Sequence, residues 1–169
     1  MTVEDLELLY DYSNWANRQM FRALEPLTEE QFTQSVGEGF GCIRDTLVHV
    51  VSAEWGWLQR CGGRERGNAL KNEDFPTLIS VIQIADKVAT YVQEFLSQLQ
   101  DTDLEKTVEF SNPKGEKRTM RIGEMLHHAA NHGVHHRGQV VLILRLLGYT
   151  PDDFDLLFYY GAKHNLPVW

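Results

Sequence analysis

Apolar residues recur along this chain every three or four positions, the period of one face of an α-helix. Leu6, Leu9, Tyr10, Met20, Phe21 and Leu24 keep that spacing and predict a first helix over about 3–24. Thr2 is placed to cap it, Asp5 falls in its first turn, and Pro26 ends it. Thr28-Glu29-Glu30-Gln31 reads as a capping box that opens a short helical turn. A second helix is predicted over about 43–60, stopping at Gly62-Gly63. The polar stretch 64–74 is expected to be a loop. A third helix starts near Pro76-Thr77 and reaches about Leu99, with Leu78, Val81, Ile82, Ala85, Val88, Val92, Phe95 and Leu99 on one face.

From about 106 to 121 the pattern changes. Thr107-Val108-Glu109-Phe110 and Arg118-Thr119-Met120-Arg121 are short β-compatible runs around the turn residues Ser111-Asn112-Pro113-Lys114-Gly115, which predicts a small hairpin. A fourth long helix follows over about 122–147, ending at Gly148 with Pro151 shortly after. The segment 155–164 is expected to add one short helix. Four long amphipathic helices with modest connections predict an all-α fold, a four-helix bundle with a β-hairpin before the last long helix. With no internal repeat, low-complexity tract or linker, 1–169 reads as a single domain.

Composition narrows the function classes. The chain has 169 residues, 43% hydrophobic and 24% charged, an ordinary globular balance that argues against disorder. Its formal net charge of -8 repels phosphate backbones, so nucleic acid is not expected as a partner. The acidic start Met1-Thr2-Val3-Glu4-Asp5 lacks the basic-then-apolar pattern of a secretory signal. The longest strongly apolar stretch, 140–147, contains Arg145 and is far too short to cross a bilayer, so no membrane is expected and the location is read as cytoplasmic. Cys42 and Cys61 bracket the second helix, roughly 28 Å apart along its axis, and cannot form a disulfide there.

Candidate chemistry is concentrated in histidine. Five of seven histidines fall in His127-His128-Ala129-Ala130-Asn131-His132-Gly133-Val134-His135-His136, all on the predicted fourth helix. His128, His132 and His136 follow one another at i, i+4 along one face. Two imidazoles one turn apart reach a single ion at about 2.0–2.1 Å, and a third ligand must then come from elsewhere. His49 is the isolated histidine near the middle of another predicted helix. The bland alternative is a solvent-facing or hydrogen-bonded cluster, but nothing structural calls for so many imidazoles in one place. A zincin is excluded, since no His-Glu-x-x-His occurs. Glu124-Met125-Leu126-His127 fits Glu-x-x-His, yet a di-iron bundle needs a second copy, and Glu124 is read as a first-turn residue favoured by the helix dipole.

Asn131-His132-Gly133-Val134-His135-His136-Arg137-Gly138-Gln139 resembles the signature of the DinB-like (damage-inducible) family. Tyr12-Ser13-Asn14-Trp15-Ala16-Asn17 is similar to that family's first-helix motif, and Thr46-Leu47-Val48-His49-Val50 to its second-helix ligand motif. Leu147-Gly148-Tyr149-Thr150-Pro151, with Asp155 and Tyr159, resembles its closing segment. The resemblance implies a four-helix bundle, often a homodimer, with metal ligands His49, His132 and His136. It makes His128 and His135 neighbours of the site. The family and its relatives include thiol-dependent transferases and isomerases, others are assigned as hydrolases, and many have no known activity, so the resemblance fixes the site better than the reaction.

Three neutral imidazoles leave a divalent ion its charge and an open position for water, a small-molecule substrate or a thiol. Imidazole suits zinc, nickel, copper and iron; zinc or nickel leads the expectation, ahead of iron or manganese. Asn131 and Gln139 are candidates to hydrogen-bond ligand rings. Glu54 could orient a ligand or act as a base, but is read first as a surface charge; Arg137 could pair a substrate carboxylate, but is read first as one half of a structural salt bridge. Gly133 and Gly138 are expected to allow close helix approach, and Trp15, Trp55 and Trp57 to be core or interface residues. The function expected is a metal-dependent hydrolase or thiol-dependent transferase. The alternative is a stress-response or binding protein in which the metal is structural or regulatory.

Overall fold

The computed structural model describes residues 1–37, 41–64, 67–112 and 114–167. It is mostly helical, with one two-stranded antiparallel hairpin. The helices are α1 (Val3–Leu24), α2 (Glu29–Thr33), α3 (Ile43–Cys61), α4 (Leu78–Leu96), α5 (Ile122–Leu146) and α6 (Leu156–His164); β1 (Thr107–Ser111) and β2 (Lys117–Arg121) lie between α4 and α5.

The caps read from the sequence set several boundaries. The Thr2 hydroxyl accepts from the Asp5 N–H at 3.1 Å, and the Asp5 carboxylate accepts from the Thr2 N–H at 2.8 Å. Thr28 and Gln31 make the same reciprocal pair at the start of α2. The third long helix is shorter than its apolar pattern suggested. It ends at Leu96, and Leu99 packs from outside it, because a 3-10 turn over Asp101–Glu105 continues the burial through Leu104. The 64–74 segment holds a 3-10 turn at Asn72–Asp74.

Two apolar clusters fix how the long helices run. In one, Met20 and Phe21 near the end of α1 meet Ile43 and Leu47 at the start of α3, Val81 at the start of α4, and Val140 and Ile143 late in α5. In the other, Leu6 and Tyr10 meet Leu58 of α3, Val92 and Leu96 of α4, and Met125 and Leu126 early in α5. So α1 and α5 run one way, and α3 and α4 run the other. The most extensive helix packing is α3 on α5, followed by α1 on α5 and α3 on α4. Each fully buried leucine in these clusters contributes roughly 1.5–3 kcal/mol of burial.

In the hairpin, Thr107 pairs with Arg121 and Phe110 with Arg118. Alternation turns Val108 and Phe110 inward. At the turn the Asn112 side-chain oxygen accepts from the Lys114 and Glu116 N–H groups at 2.9 and 3.0 Å, and Gly115 takes a φ of +79°; Pro113 lies outside the described residues. No helix is long and apolar enough to cross a membrane among the described residues. Cys42 and Cys61 are both buried free thiols, and burial pushes the Cys61 thiol up to about 12.

Candidate metal centre

Helix packing brings together histidines that are 83 residues apart in the chain. His132 and His136 stand one turn apart on α5, and antiparallel α3 delivers His49 to them. The Nε2 atoms of His49 and His132 are 3.2 Å apart, and those of His132 and His136 are 3.0 Å apart. One ligand atom from each of the three lies within 4.8 Å of the others, and no carboxylate or thiol belongs to this group among the described residues. Three nitrogens each about 2.0–2.1 Å from one tetrahedral ion would be about 3.3 Å from one another, close to the two short separations.

The ring protonation fits a cation. The Gln139 amide oxygen accepts from His136 Nδ1 at 2.6 Å, which places that ring's proton on Nδ1 and turns the Nε2 lone pair toward His132. Burial, then the neighbouring His136 and His49 rings, hold the His132 pKa down to about 4. Burial also lowers His136, against the opposing pull of Gln139. Neutral imidazole is the ligand form. His49 is exposed while His132 and His136 are half-buried, so the group has a solvent-facing side.

The other histidines sit around this group. His128 has its ring centroid 6.0 Å from that of His132 and meets Trp57 edge-on at 5.0 Å. His135 lies 4.9 Å from His136, with its Nε2 3.3 Å from the Gln139 amide nitrogen. Gln139 thus bridges two histidines. Asn131 does not reach the three-histidine group; its amide lies 3.1 Å from His127 Nε2.

Several supporting residues differ from their sequence reading. Arg137 forms no structural salt bridge among the described residues. It is 4% exposed, and its Nη1 donates to Ser13 Oγ and Asn17 Oδ1, both at 3.0 Å, while its Cζ stands 5.4 Å from the Tyr12 ring centroid. Gly133 serves that guanidinium rather than a backbone approach: a Cβ there would sit 3.3 Å from Arg137 Nη1, whereas one at Gly138 would meet nothing within 4 Å. Glu54 is half-buried, and burial raises its carboxyl to about 7 against the attraction of Arg137. Trp57 is not simply core. It packs edge-on against both His128 and Phe110, at 5.0 and 5.5 Å. Trp15 and Trp55 do pack on neighbours, Tyr159 and Tyr91. The role of Ser13 and Asn17 was missed; an i, i+4 polar pair inside an apolar helix pattern is the signal that marks it.

The chain is similar to known proteins over nearly its whole length. The sequence profile of the DinB family matches residues 1–165. The chain is 28% identical over 158 residues to Protein DinB of Bacillus subtilis (strain 168), covering 89% of this chain and 92% of that one. It is 29% identical over 139 residues to the uncharacterized protein YizA of the same organism, covering 82% and 86%. The crystal structure of a DinB-like protein from Bacillus cereus ATCC 10987 superposes with a TM-score of 0.70 at 25% identity, over 90% of this chain and 97% of that one. With a family profile spanning nearly all of its length and a three-histidine group built by α3 and α5, the chain belongs to the DinB family.

Proposed function

We propose that this chain binds one divalent cation through His49, His132 and His136 and uses it on a small molecule, in hydrolysis or in transfer of a thiol. The observation that carries the reading is the convergence of three imidazole nitrogens within 4.8 Å of one another, with Gln139 fixing the tautomer of one of the rings. When bound, the ion supplies a Lewis acid that lowers the pKa of water or of a thiol. The chain's own part is to hold three ring nitrogens together, to disfavour protonation of His132 and His136 by burial, and to leave the His49 side facing solvent. Three ligands with no carboxylate suit zinc or nickel ahead of iron or manganese.

The frame for this site is read as a single-domain four-helix bundle formed by α1, α3, α4 and α5. A homodimer in the cytoplasm is the assembly that fits. Val134, Leu142 and Leu146 on α5 and Leu156 and Leu157 on α6 are exposed apolar residues that one monomer leaves uncovered, and a net charge of -8 gives nucleic acid no foothold.

Cobalt substitution tests the reading. Small thiols and then acetate should shift the visible spectrum of the cobalt-loaded protein saturably, because an open position exchanges its ligand. A spectrum that no added ligand alters would mean a shell closed by the protein, and a structural or regulatory metal.

A further inference from the structure

His128 lies outside the three-histidine group, yet it extends that group's ladder by one turn at an exposed position. His128, His132 and His136 stand at i, i+4 along α5, and His128 is exposed where His132 and His136 are half-buried. The outer histidines of α5 are not alike. His127 Nε2 lies 3.1 Å from the Asn131 amide nitrogen, and His135 Nε2 lies 3.3 Å from the Gln139 amide nitrogen. An ion on His135 would compete with the carboxamide that also holds His136. The ring contacts of His128 are with Trp57, edge-on at 5.0 Å, and with His132 at 6.0 Å, between centroids. They fix the ring's place and leave its nitrogens outside any hydrogen bond among the described residues.

An ion about 2.0–2.1 Å from an imidazole nitrogen lies about 3.2 Å from that ring's centroid, so two rings on one ion have centroids no more than about 6.4 Å apart. The pairs within the three-histidine group stand at 4.3, 4.8 and 5.0 Å, which correspond to angles of roughly 84–103° at the ion. The 6.0 Å pair of His128 and His132 is within reach but needs an angle of about 140°, so it holds an ion more weakly. His128 and His136 are two turns apart, about 12 Å along the helix, so no ion touches both. His132 belongs to both the outer pair and the inner group.

We propose that His128 and His132 form an entry position for the divalent ion, from which it passes to His49, His132 and His136. The rings of the inner group meet at hydrogen-bond distance, with Nε2 atoms 3.2 and 3.0 Å apart, so an arriving ion has to part them. On the outer pair the ion is already held by His132 while that happens. Each neutral imidazole that binds replaces one water on the ion, and His128 gives its place up as His49 and His136 arrive, so the charge of ion and ligands stays the same throughout. The inference rests on the metal reading above and adds how the ion enters and leaves.

Stopped-flow mixing of metal-stripped protein with cobalt, read by the visible absorbance of bound cobalt, gives the entry rate. Mixing cobalt-loaded protein with excess EDTA gives the exit rate. A residue that touches the ion only in passage lowers the barrier without altering either end state, so its loss slows both directions by the same factor. His128→Phe keeps an aromatic edge for Trp57 and removes the nitrogens. It should slow entry and exit each about tenfold, equivalent to about 1.4 kcal/mol in the barrier, with Kd and stoichiometry as in the parent. His127→Phe, off the ladder, should exchange cobalt at the parent's rates. Unchanged rates in His128→Phe would overturn the proposal. So would a faster exit with weaker affinity, since His128 would then be a resident ligand. Equal slowing by His127→Phe would overturn it too, because the whole histidine-rich surface and not the ladder would then be gathering the ion. Failure of the parent to bind cobalt would instead strike the metal reading, and the entry position would fall with it.

Discussion

Two glycines on α5, five residues apart, should respond to alanine with opposite sign. At Gly138 an added Cβ meets nothing within 4 Å, so Gly138→Ala should gain the helix-propensity difference, about 1 kcal/mol. At Gly133 the same change gains the same propensity but places a Cβ 3.3 Å from Arg137 Nη1 and 3.7 Å from Ser13 Oγ. A free guanidinium would simply swing aside. This one is 4% exposed and donates to Ser13 and Asn17 at 3.0 Å each, so moving it lengthens two charge-assisted hydrogen bonds at once. Each such bond contributes roughly 1.5–3 kcal/mol, and weakening both outweighs the propensity gain. Gly133→Ala should therefore lose about 1–2 kcal/mol net. Urea unfolding followed by circular dichroism measures both variants. The double variant Gly133→Ala/Arg137→Met removes the obstructed group, and its coupling energy should exceed about 1 kcal/mol. If Gly133→Ala stabilises as much as Gly138→Ala, the guanidinium is not held as described.

Other predictions concern the groups around the metal centre. Glu54 titrates near 7 in the folded chain against an ordinary 4.5, so the folded metal-free protein holds more protons between those values and loses stability as pH rises through that window. Glu54→Gln should remove that loss, and discounting for partial exposure leaves about 1–2 kcal/mol between pH 5 and pH 8; urea midpoints that change with pH identically in variant and parent would contradict it. Gln139→Ala should weaken zinc binding about 10–100-fold while keeping one ion per chain, because the His136 tautomer is no longer fixed; calorimetry showing unchanged affinity would rule that role out. Sedimentation at micromolar concentration should give a homodimer, and a particle of 19.5 kDa would refute it.

Local features of this fold were legible in the sequence because their causes are local. The capping boxes at Thr2 and Thr28 fixed the starts of two helices, and the i, i+4 spacing put His132 and His136 on one face before any packing was known. Leu99 was misplaced because it stays on the buried side after α4 has ended, so its apolar period continued while its backbone changed. Long-range contacts left no such trace. Arg137 and Ser13 are 124 residues apart, and only the parallel run of α1 and α5 brings a buried arginine to that hydroxyl. Trp57 meets His128 and Phe110 through the antiparallel pairing of α3 with α5 and the placement of the hairpin, so its composition alone read as core. Glu54 looked like a surface charge because one residue's depth depends on which side of α3 faces the interior.

Titration of metal-stripped protein with zinc, in parent and single-alanine variants, measures the central assignment most directly. The account predicts one ion per chain in the parent. His49→Ala, His132→Ala and His136→Ala should each lose more affinity than the roughly 10–100-fold expected at Gln139, because each removes a ligand rather than its support. His128→Ala should bind as the parent does, since its ring stands outside the three-nitrogen group. Undiminished binding by the His132→Ala protein, whose Nε2 lies between the other two rings, would contradict the site as described.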